Sequence, residues 1–98
     1  MEVTVNHGDA MVVKIKGRID TVTSAQLDAR LKEETVNENK VIMDFTDVEY
    51  ISSAGLRLLL SLKNGLDENG KEFEIHNINA VVKEIFSVTG FKNTLTIK

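Results

Sequence analysis

The sequence predicts a single α/β domain with a mixed β-sheet of four to five strands and about three α-helices. Three observations support this fold class. Short segments that alternate apolar and polar residues indicate strands, and longer segments with apolar residues three and four apart indicate helices. After an initial pair of strands, the two kinds of segment alternate along the chain. With 98 residues, the chain has room for one domain over positions 1–98.

The first two strands are expected to form an antiparallel hairpin. Val3 and Val5 alternate with polar neighbours, and a second alternating segment spans Met11–Lys16. Between them, His7–Asp9 contains a glycine and is typical of a turn. Two strands joined by so short a connection pair antiparallel.

The first helix is predicted from about Ser24 to Glu34. Thr23, with Gln26 three residues later, resembles a capping box at its start. Leu27 and Leu31 are one turn apart, but the amphipathic pattern is weak because Ala25 and Ala29 lie on another side.

The middle of the chain predicts a buried strand followed by the most apolar helix. Lys40–Phe45 is nearly continuous in apolar residues, which is typical of a central strand covered on both faces. Residues 46–52 are expected to form a loop before a helix from about Ala54 to Asn69. Leu58 and Leu62 lie at the margin of its apolar face. They either form an exposed docking patch or pack under the neighbouring helix, and the second arrangement is preferred.

The last third of the chain predicts a strand, a helix and a short final strand. Glu72–His76 alternates apolar and polar residues. Asn79 is a suitable N-cap for a third helix, and Gly90 is a suitable end for it. Leu95–Ile97 is expected to form the last strand.

Composition excludes several classes of function. The net charge of −3 and the absence of a basic stripe argue against a nucleic-acid partner. The chain has no cysteine, which excludes disulfides, thiolate nucleophiles and cysteine metal sites. No apolar segment is long enough to insert into a membrane, and the N-terminus does not resemble a secretion signal. These features predict a cytoplasmic location.

The sequence offers little support for catalysis or for a bound cofactor. His7 and His76 lack the spacing of a metal site, so we expect both to be structural or solvent-facing, with no metal bound. Motifs of nucleotide-binding loops and of nucleophilic serines in hydrolases are absent. We therefore expect a protein without a cofactor that is not an enzyme.

The most informative segment lies between the buried strand and the apolar helix. Ser52 and Ser53 are followed by two small residues, Ala54 and Gly55. A structural explanation is that one serine caps the helix while the small residues allow close packing on the sheet. A functional explanation is that a serine at the positive helix N-terminus carries a phosphate, which changes the charge of a docking surface.

At these residues the chain resembles the anti-sigma factor antagonists, single-domain bacterial members of the STAS superfamily. The resemblance covers essentially the whole chain as one STAS domain. Its central pattern is a serine two positions before a glycine, followed by leucine. The segments that carry the resemblance are Gly17–Asp20, Val41–Phe45, Asp47–Leu56 and Val88–Phe91.

The resemblance implies a partner-switching mechanism and a set of partners. The unphosphorylated protein would bind an anti-sigma factor, which is also a serine kinase with a histidine-kinase-like ATP fold, and so release a sigma factor. The kinase would use ATP to phosphorylate Ser53, with Ser52 the second choice, and the complex would dissociate. A PP2C-type serine phosphatase would reset the switch.

The resemblance also implies a partner-binding surface. Its expected members are Asp20, Ser52, Ser53, Ala54, Gly55 and Arg57. Arg57 lies one helical turn after Ser53 and is either a solvated surface residue or a phosphate partner. Ser52 stands where many family members have aspartate. This difference supports the alternative of a constitutive STAS scaffold, an accessory subunit of a transporter or signalling complex. Since the sequence stops at Lys98, the family's C-terminal helix is expected to be missing.

Overall fold

A computed structural model describes residues 1–34 and 38–98 and confirms the predicted fold class. Four strands form one mixed sheet with three α-helices, and a short 3₁₀ helix follows the third. In chain order the elements are β1 (Glu2–Asn6), β2 (Met11–Ile19), α1 (Thr21–Glu34), β3 (Lys40–Ile51), α2 (Ser53–Glu68), β4 (Glu72–His76), α3 (Ala80–Thr89) and the 3₁₀ helix Phe91–Asn93. Within the described residues, no helix is both long and apolar enough to cross a bilayer.

The sheet has the strand order β1-β2-β3-β4. β1 and β2 pair antiparallel, which confirms the predicted hairpin, whereas β3 is parallel to both of its neighbours. Since β2, β3 and β4 are parallel, their carboxyl ends all lie at one edge of the sheet. The helices that follow β2 and β3 begin at this edge.

The prediction that both faces of β3 are covered was wrong. Val41, Met43 and Phe45 are fully buried, but the alternating Ile42 and Asp44 are only partly buried. A run of apolar residues does not by itself show whether a second layer of helices covers a sheet. Here every second side chain along the first half of β3 is buried, namely those on the face that the helices cover.

The predicted loop at residues 46–52 was also wrong, because β3 continues to Ile51. The register of β3 with β2 is interrupted twice by shifts and then resumes, pairing Ile19 with Ile51. Val48 and Ile51 are buried in this second half. Irregularities of this kind let a strand with mixed polarity keep its apolar residues in the core.

The predicted last strand is reduced to an isolated parallel bridge between Ile97 and Ile75. The Ile75 N–H donates to the carbonyl of Thr96 at 2.9 Å, and the Lys98 N–H donates to the carbonyl of Ile75 at 2.8 Å. The pairing extends the outer edge of β4 without forming a full fifth strand.

The helices pack through the apolar residues that their sequence patterns indicate. Leu27 and Leu31, one turn apart on α1, are both buried. Leu58 is 8% exposed and Leu62 is partly buried against the core, so the preferred packing arrangement is confirmed. The buried residues of α2 are Gly55, Leu56, Leu58, Leu59 and Leu66.

The third helix begins and ends as predicted. The Asn79 side chain accepts a hydrogen bond from the Val82 N–H at 3.0 Å, and Gly90 ends the helix with a φ of 80°. Phe86 lies against Phe45 with ring centroids 6.3 Å apart. Full burial of such a side chain stabilises the fold by about 1.5–3 kcal/mol.

Candidate functional site

The candidate site lies where β2 and β3 end side by side. Ile19 and Ile51 are paired, and the Ser52 N–H donates to the carbonyl of Ile19 at 2.8 Å. A helix follows each strand at once, so the N-termini of α1 and α2 are neighbours. Each terminus has N–H groups without helical partners and the positive end of a helix dipole.

Ser52 is the N-cap of α2. Its backbone is extended, with φ −85° and ψ 174°, and its hydroxyl accepts a hydrogen bond from the Gly55 N–H at 3.2 Å. Its carbonyl accepts the first helical bond, from the Leu56 N–H at 2.9 Å. These bonds give Ser52 a structural role, and its side chain is only partly exposed.

Ser53 is the first residue of α2 and is exposed. Within the described residues its hydroxyl makes no hydrogen bond, in contrast to the hydroxyl of Ser52. A hydroxyl that is exposed and unbonded can enter the active site of another protein without disturbing the helix cap. The geometry therefore separates the two adjacent serines, which the sequence left as alternatives.

Gly55 allows α2 to approach the sheet closely. A Cβ atom at this position would lie 2.6 Å from Cγ1 of Ile51 and 2.8 Å from Cγ2 of Ile19. Gly55 itself is buried, so within the predicted site it contributes to packing beneath the surface. Ala54 is partly buried and lies between the helices.

Arg57 is exposed and lies four residues after Ser53 on the same side of α2. In the described part of the chain, its guanidinium has neither an ion pair nor a hydrogen bond. It also lines a shallow groove between α1 and α2, with Ser24, Ala25, Asp28, Ala54, Leu58 and Ser61. The arginine is thus free to meet a charge brought to Ser53.

Asp20 caps α1, and this corrects the predicted start of that helix. Its carboxylate accepts hydrogen bonds from the N–H groups of Thr23 at 2.9 Å and Val22 at 3.1 Å. In return, the Thr23 hydroxyl accepts from the Asp20 N–H at 2.8 Å. Asp20 and Thr23 therefore form a capping box in which Asp20 is the N-cap and Thr23 is the third residue of the helix. The predicted capping box, with Thr23 as N-cap and Gln26 as its partner, was wrong.

Hydrogen bonds from Thr23 lower the pKa of Asp20 below its ordinary value. The bond from the Thr23 backbone has the larger effect, and the bond from the Thr23 side chain comes next. The carboxylate thus carries its charge well into the acid range. It stands beside the start of α2, because Asp20 and Ser52 directly follow the paired Ile19 and Ile51. The structure brings all six predicted site residues to this one end of the sheet.

Two further residues at this end were missed by sequence reasoning. Val22, in the first turn of α1, is 67% exposed although it is apolar. Arg18 stacks over the ring of Tyr50, with its guanidinium carbon 4.5 Å from the ring centroid. The sequence could have pointed to Val22, because it is an apolar residue two positions after an aspartate that can cap a helix. The contact of Arg18 with Tyr50 depends on strand register, which the sequence pattern does not show.

The site contains no arrangement suited to holding a metal. Across residues 1–34 and 38–98, no group of three or more histidine, cysteine or acidic side chains is placed to bind a metal ion. The features of the site are an exposed hydroxyl, two helix N-termini, an acidic cap and an exposed arginine that pairs with none of the described residues. Such a surface can dock a partner and respond to added charge.

Comparisons with known proteins agree with this description. The profile of the STAS domain matches residues 1–98. BtrV of Bordetella bronchiseptica, provisionally named an anti-sigma factor antagonist, is 30% identical over 93 residues, covering 93% of this chain and 80% of BtrV. The anti-sigma-B factor antagonist of Staphylococcus epidermidis is 27% identical over 97 residues, covering 96% of this chain and 88% of that protein.

Solved structures agree on the fold. The unphosphorylated form of the anti-sigma factor antagonist SpoIIAA, from the genus Bacillus, superposes with a TM-score of 0.83 at 16% identity. The match covers 99% of this chain and 88% of SpoIIAA. The chain belongs to the STAS domain family, and the predicted resemblance to the family's anti-sigma factor antagonists is confirmed.

Proposed function

We propose that the protein is an anti-sigma factor antagonist that works by partner switching and is controlled by phosphorylation of Ser53. In its unphosphorylated form it binds an anti-sigma factor that is also a serine kinase with a histidine-kinase-like ATP fold. This binding releases a sigma factor. The kinase phosphorylates Ser53, the complex dissociates, and a PP2C-type phosphatase restores the first state. The domain is then ligand and substrate, not catalyst.

The observation that carries the proposal is the difference between the two serines. Ser52 holds the helix cap, while Ser53 is exposed and its hydroxyl makes no hydrogen bond to any residue that the structure describes. A kinase can therefore modify Ser53 without removing the bond that starts α2. SpoIIAA, whose fold this chain shares, has been solved in phosphorylated and unphosphorylated forms, which supports a phosphate-controlled role.

Electrostatics explain why a phosphate would switch binding without refolding the domain. A phosphoserine adds roughly −1.5 to −2 charges at neutral pH. The N-terminus of α2 tolerates this charge because of its dipole and its open N–H groups. A docked partner does not tolerate it, because the charge is desolvated in the interface or repelled by acidic groups there.

Arg57 gives the phosphate a partner on the protein's own surface. It lies one turn beyond Ser53 and has no competing ion pair within the described residues. A charge-assisted bond between them would hold the phosphate on α2. The same pairing would withdraw the arginine from any contact that it makes in the unphosphorylated complex.

The first experiment locates the modification. Wild type, Ser52→Ala and Ser53→Ala are incubated with Mg-ATP and an extract of the source bacterium, and intact masses are measured. We expect one added phosphoryl group in wild type and Ser52→Ala and none in Ser53→Ala. Addition to Ser53→Ala but not to Ser52→Ala would move the site to Ser52.

The second experiment tests the switch by measuring affinity for the kinase that the extract supplies. Ser53→Asp should weaken binding, whereas Ser53→Ala should retain it and resist release by ATP. Ser87→Asp is the matched control, because Ser87 is also exposed but lies on α3. If Ser53→Asp and Ser87→Asp bind as tightly as wild type, charge at Ser53 does not control the complex.

The alternative function, a constitutive STAS scaffold, rests on Ser52 in place of the aspartate of many family members. The same two experiments distinguish it. A scaffold would acquire no phosphate in any variant, and its complexes would be indifferent to changes at Ser53.

A further inference from the structure

His7 bridges two acidic side chains at the end of the sheet opposite to Ser53. It follows β1, in the turn before β2, and is about half exposed at 49%. Its Nδ1 lies 2.5 Å from Oε1 of Glu38, and its Nε2 lies 2.7 Å from Oε2 of Glu34. Glu34 is the last residue of α1 and Glu38 shortly precedes β3, so one ring connects three segments.

This geometry requires the charged form of the imidazole. A neutral ring has one N–H donor and one lone pair, and a lone pair facing a carboxylate at hydrogen-bond distance is repelled. Only the imidazolium donates from both nitrogens at once. The two carboxylates lie on different sides of the ring, and no metal-binding group is found within residues 1–34 and 38–98.

We propose that His7, Glu34 and Glu38 form a pH-operated clamp that fastens the β1–β2 turn to both sides of the connection between α1 and β3. The clamp is closed while the ring is charged. It loses one of its two bonds and both ion pairs when the ring loses its proton. The inference does not depend on the proposed function of Ser53.

The charges around the ring set the range in which the clamp works. The hydrogen bond to Glu38, then that to Glu34, raises the pKa of His7 above its ordinary value of 6.5. Glu34 is the last residue of α1, Glu38 lies just before β3, and Asp9 is the acidic residue of the turn itself. Since folding raises this pKa, the clamp releases at a higher pH than that at which a free histidine loses its proton.

The sign of the effect on stability follows from this direction. A histidine whose pKa is raised by folding stabilises the folded state fully below its unfolded pKa. That contribution is lost as pH rises through the folded pKa. Wild type should therefore exceed His7→Gln in stability below pH 6.5, and the two should converge as pH rises through the raised pKa of His7.

The test is an NMR titration of the His7 ring proton in wild type, Glu34→Gln and Glu38→Gln. We expect wild-type His7 to titrate above 6.5, and we expect each substitution to lower its midpoint, Glu38→Gln the more. Amide exchange at Glu38 and Lys40 reports closure. It should be slower in wild type than in His7→Gln below the midpoint and equal above it.

His76→Gln is the matched control. His76 also contacts a carboxylate, Glu74, at 2.8 Å, but it lies on β4, away from the clamp. This variant should leave the His7 titration and the exchange at Glu38 unchanged. A wild-type midpoint at or below 6.5 would overturn the clamp, as would a midpoint insensitive to Glu34→Gln and Glu38→Gln.

Discussion

Replacing Gly55 by alanine tests how the core positions the candidate site. The new Cβ would lie 2.6 Å from Cγ1 and 3.2 Å from Cδ1 of Ile51, and 2.8 Å from Cγ2 of Ile19. Ordinary contacts begin near 3.4 Å, so the two shortest are too close by about 0.6–0.8 Å. Both isoleucines are 1% exposed and belong to paired strands. The strain must therefore shift the two buried isoleucine side chains or α2, the helix that carries Ser53.

Two opposing effects set how much Gly55→Ala changes the free energy of unfolding. Overpacking of a core costs about 1–3 kcal/mol. Replacing glycine by alanine in a helix gains at most ~1 kcal/mol, and less in the first turn. We expect a net loss of about 1–2 kcal/mol, which lowers the melting temperature by roughly 5–15 °C in a domain of this size.

Gly65→Ala is the control in the same helix. No atom lies within 4 Å of a Cβ at position 65, and the residue is exposed. This variant should gain about 0.5–1 kcal/mol from helix propensity alone. Thermal unfolding followed by circular dichroism measures both. If Gly55→Ala is as stable as Gly65→Ala, the close approach of α2 to the sheet is not what requires glycine.

Three further predictions concern helix caps. Ser52→Ala should cost about 1 kcal/mol by loss of the α2 cap, whereas Ser53→Ala should stay within about ±0.5 kcal/mol, as denaturant unfolding will show. Asn79→Ala should cost about 1–2 kcal/mol, because its side chain also donates to the carbonyl of Val48; equality with wild type in urea would contradict this. Because folding lowers the pKa of Asp20, the stability advantage of wild type over Asp20→Asn should be full above the ordinary value of 3.8 and be lost as pH falls through the lowered pKa of the folded state. An advantage that persists unchanged in strong acid would refute the role of the charged cap.

The caps and the glycine have a common consequence for the proposed switch. Ser52 holds the start of α2, Asp20 holds the start of α1, and Gly55 lets α2 rest on the sheet. Ser53 takes no part in these bonds. A charge added at Ser53 therefore changes the surface that a partner meets while the structure beneath it is retained.

The sequence by itself determined the order of elements and several of their ends. The helix α3 begins after Asn79 and ends before Gly90, as predicted, because capping depends on residues only a few positions apart. Leu27 and Leu31 are buried because helical periodicity is also local. Gly17–Asp20, Val41–Phe45, Asp47–Leu56 and Val88–Phe91 together indicated the family.

Only the tertiary structure decided which serine is free, how far β3 extends, and which face of the sheet is covered. Ser52 is engaged because β3 ends beside Ile19 and α2 turns away at once. The histidine clamp joins His7 to Glu34, which is 27 positions away in sequence, and to Glu38, which is 31 positions away. Such features depend on strand register and on the approach of distant segments, which local patterns of polarity and propensity do not encode.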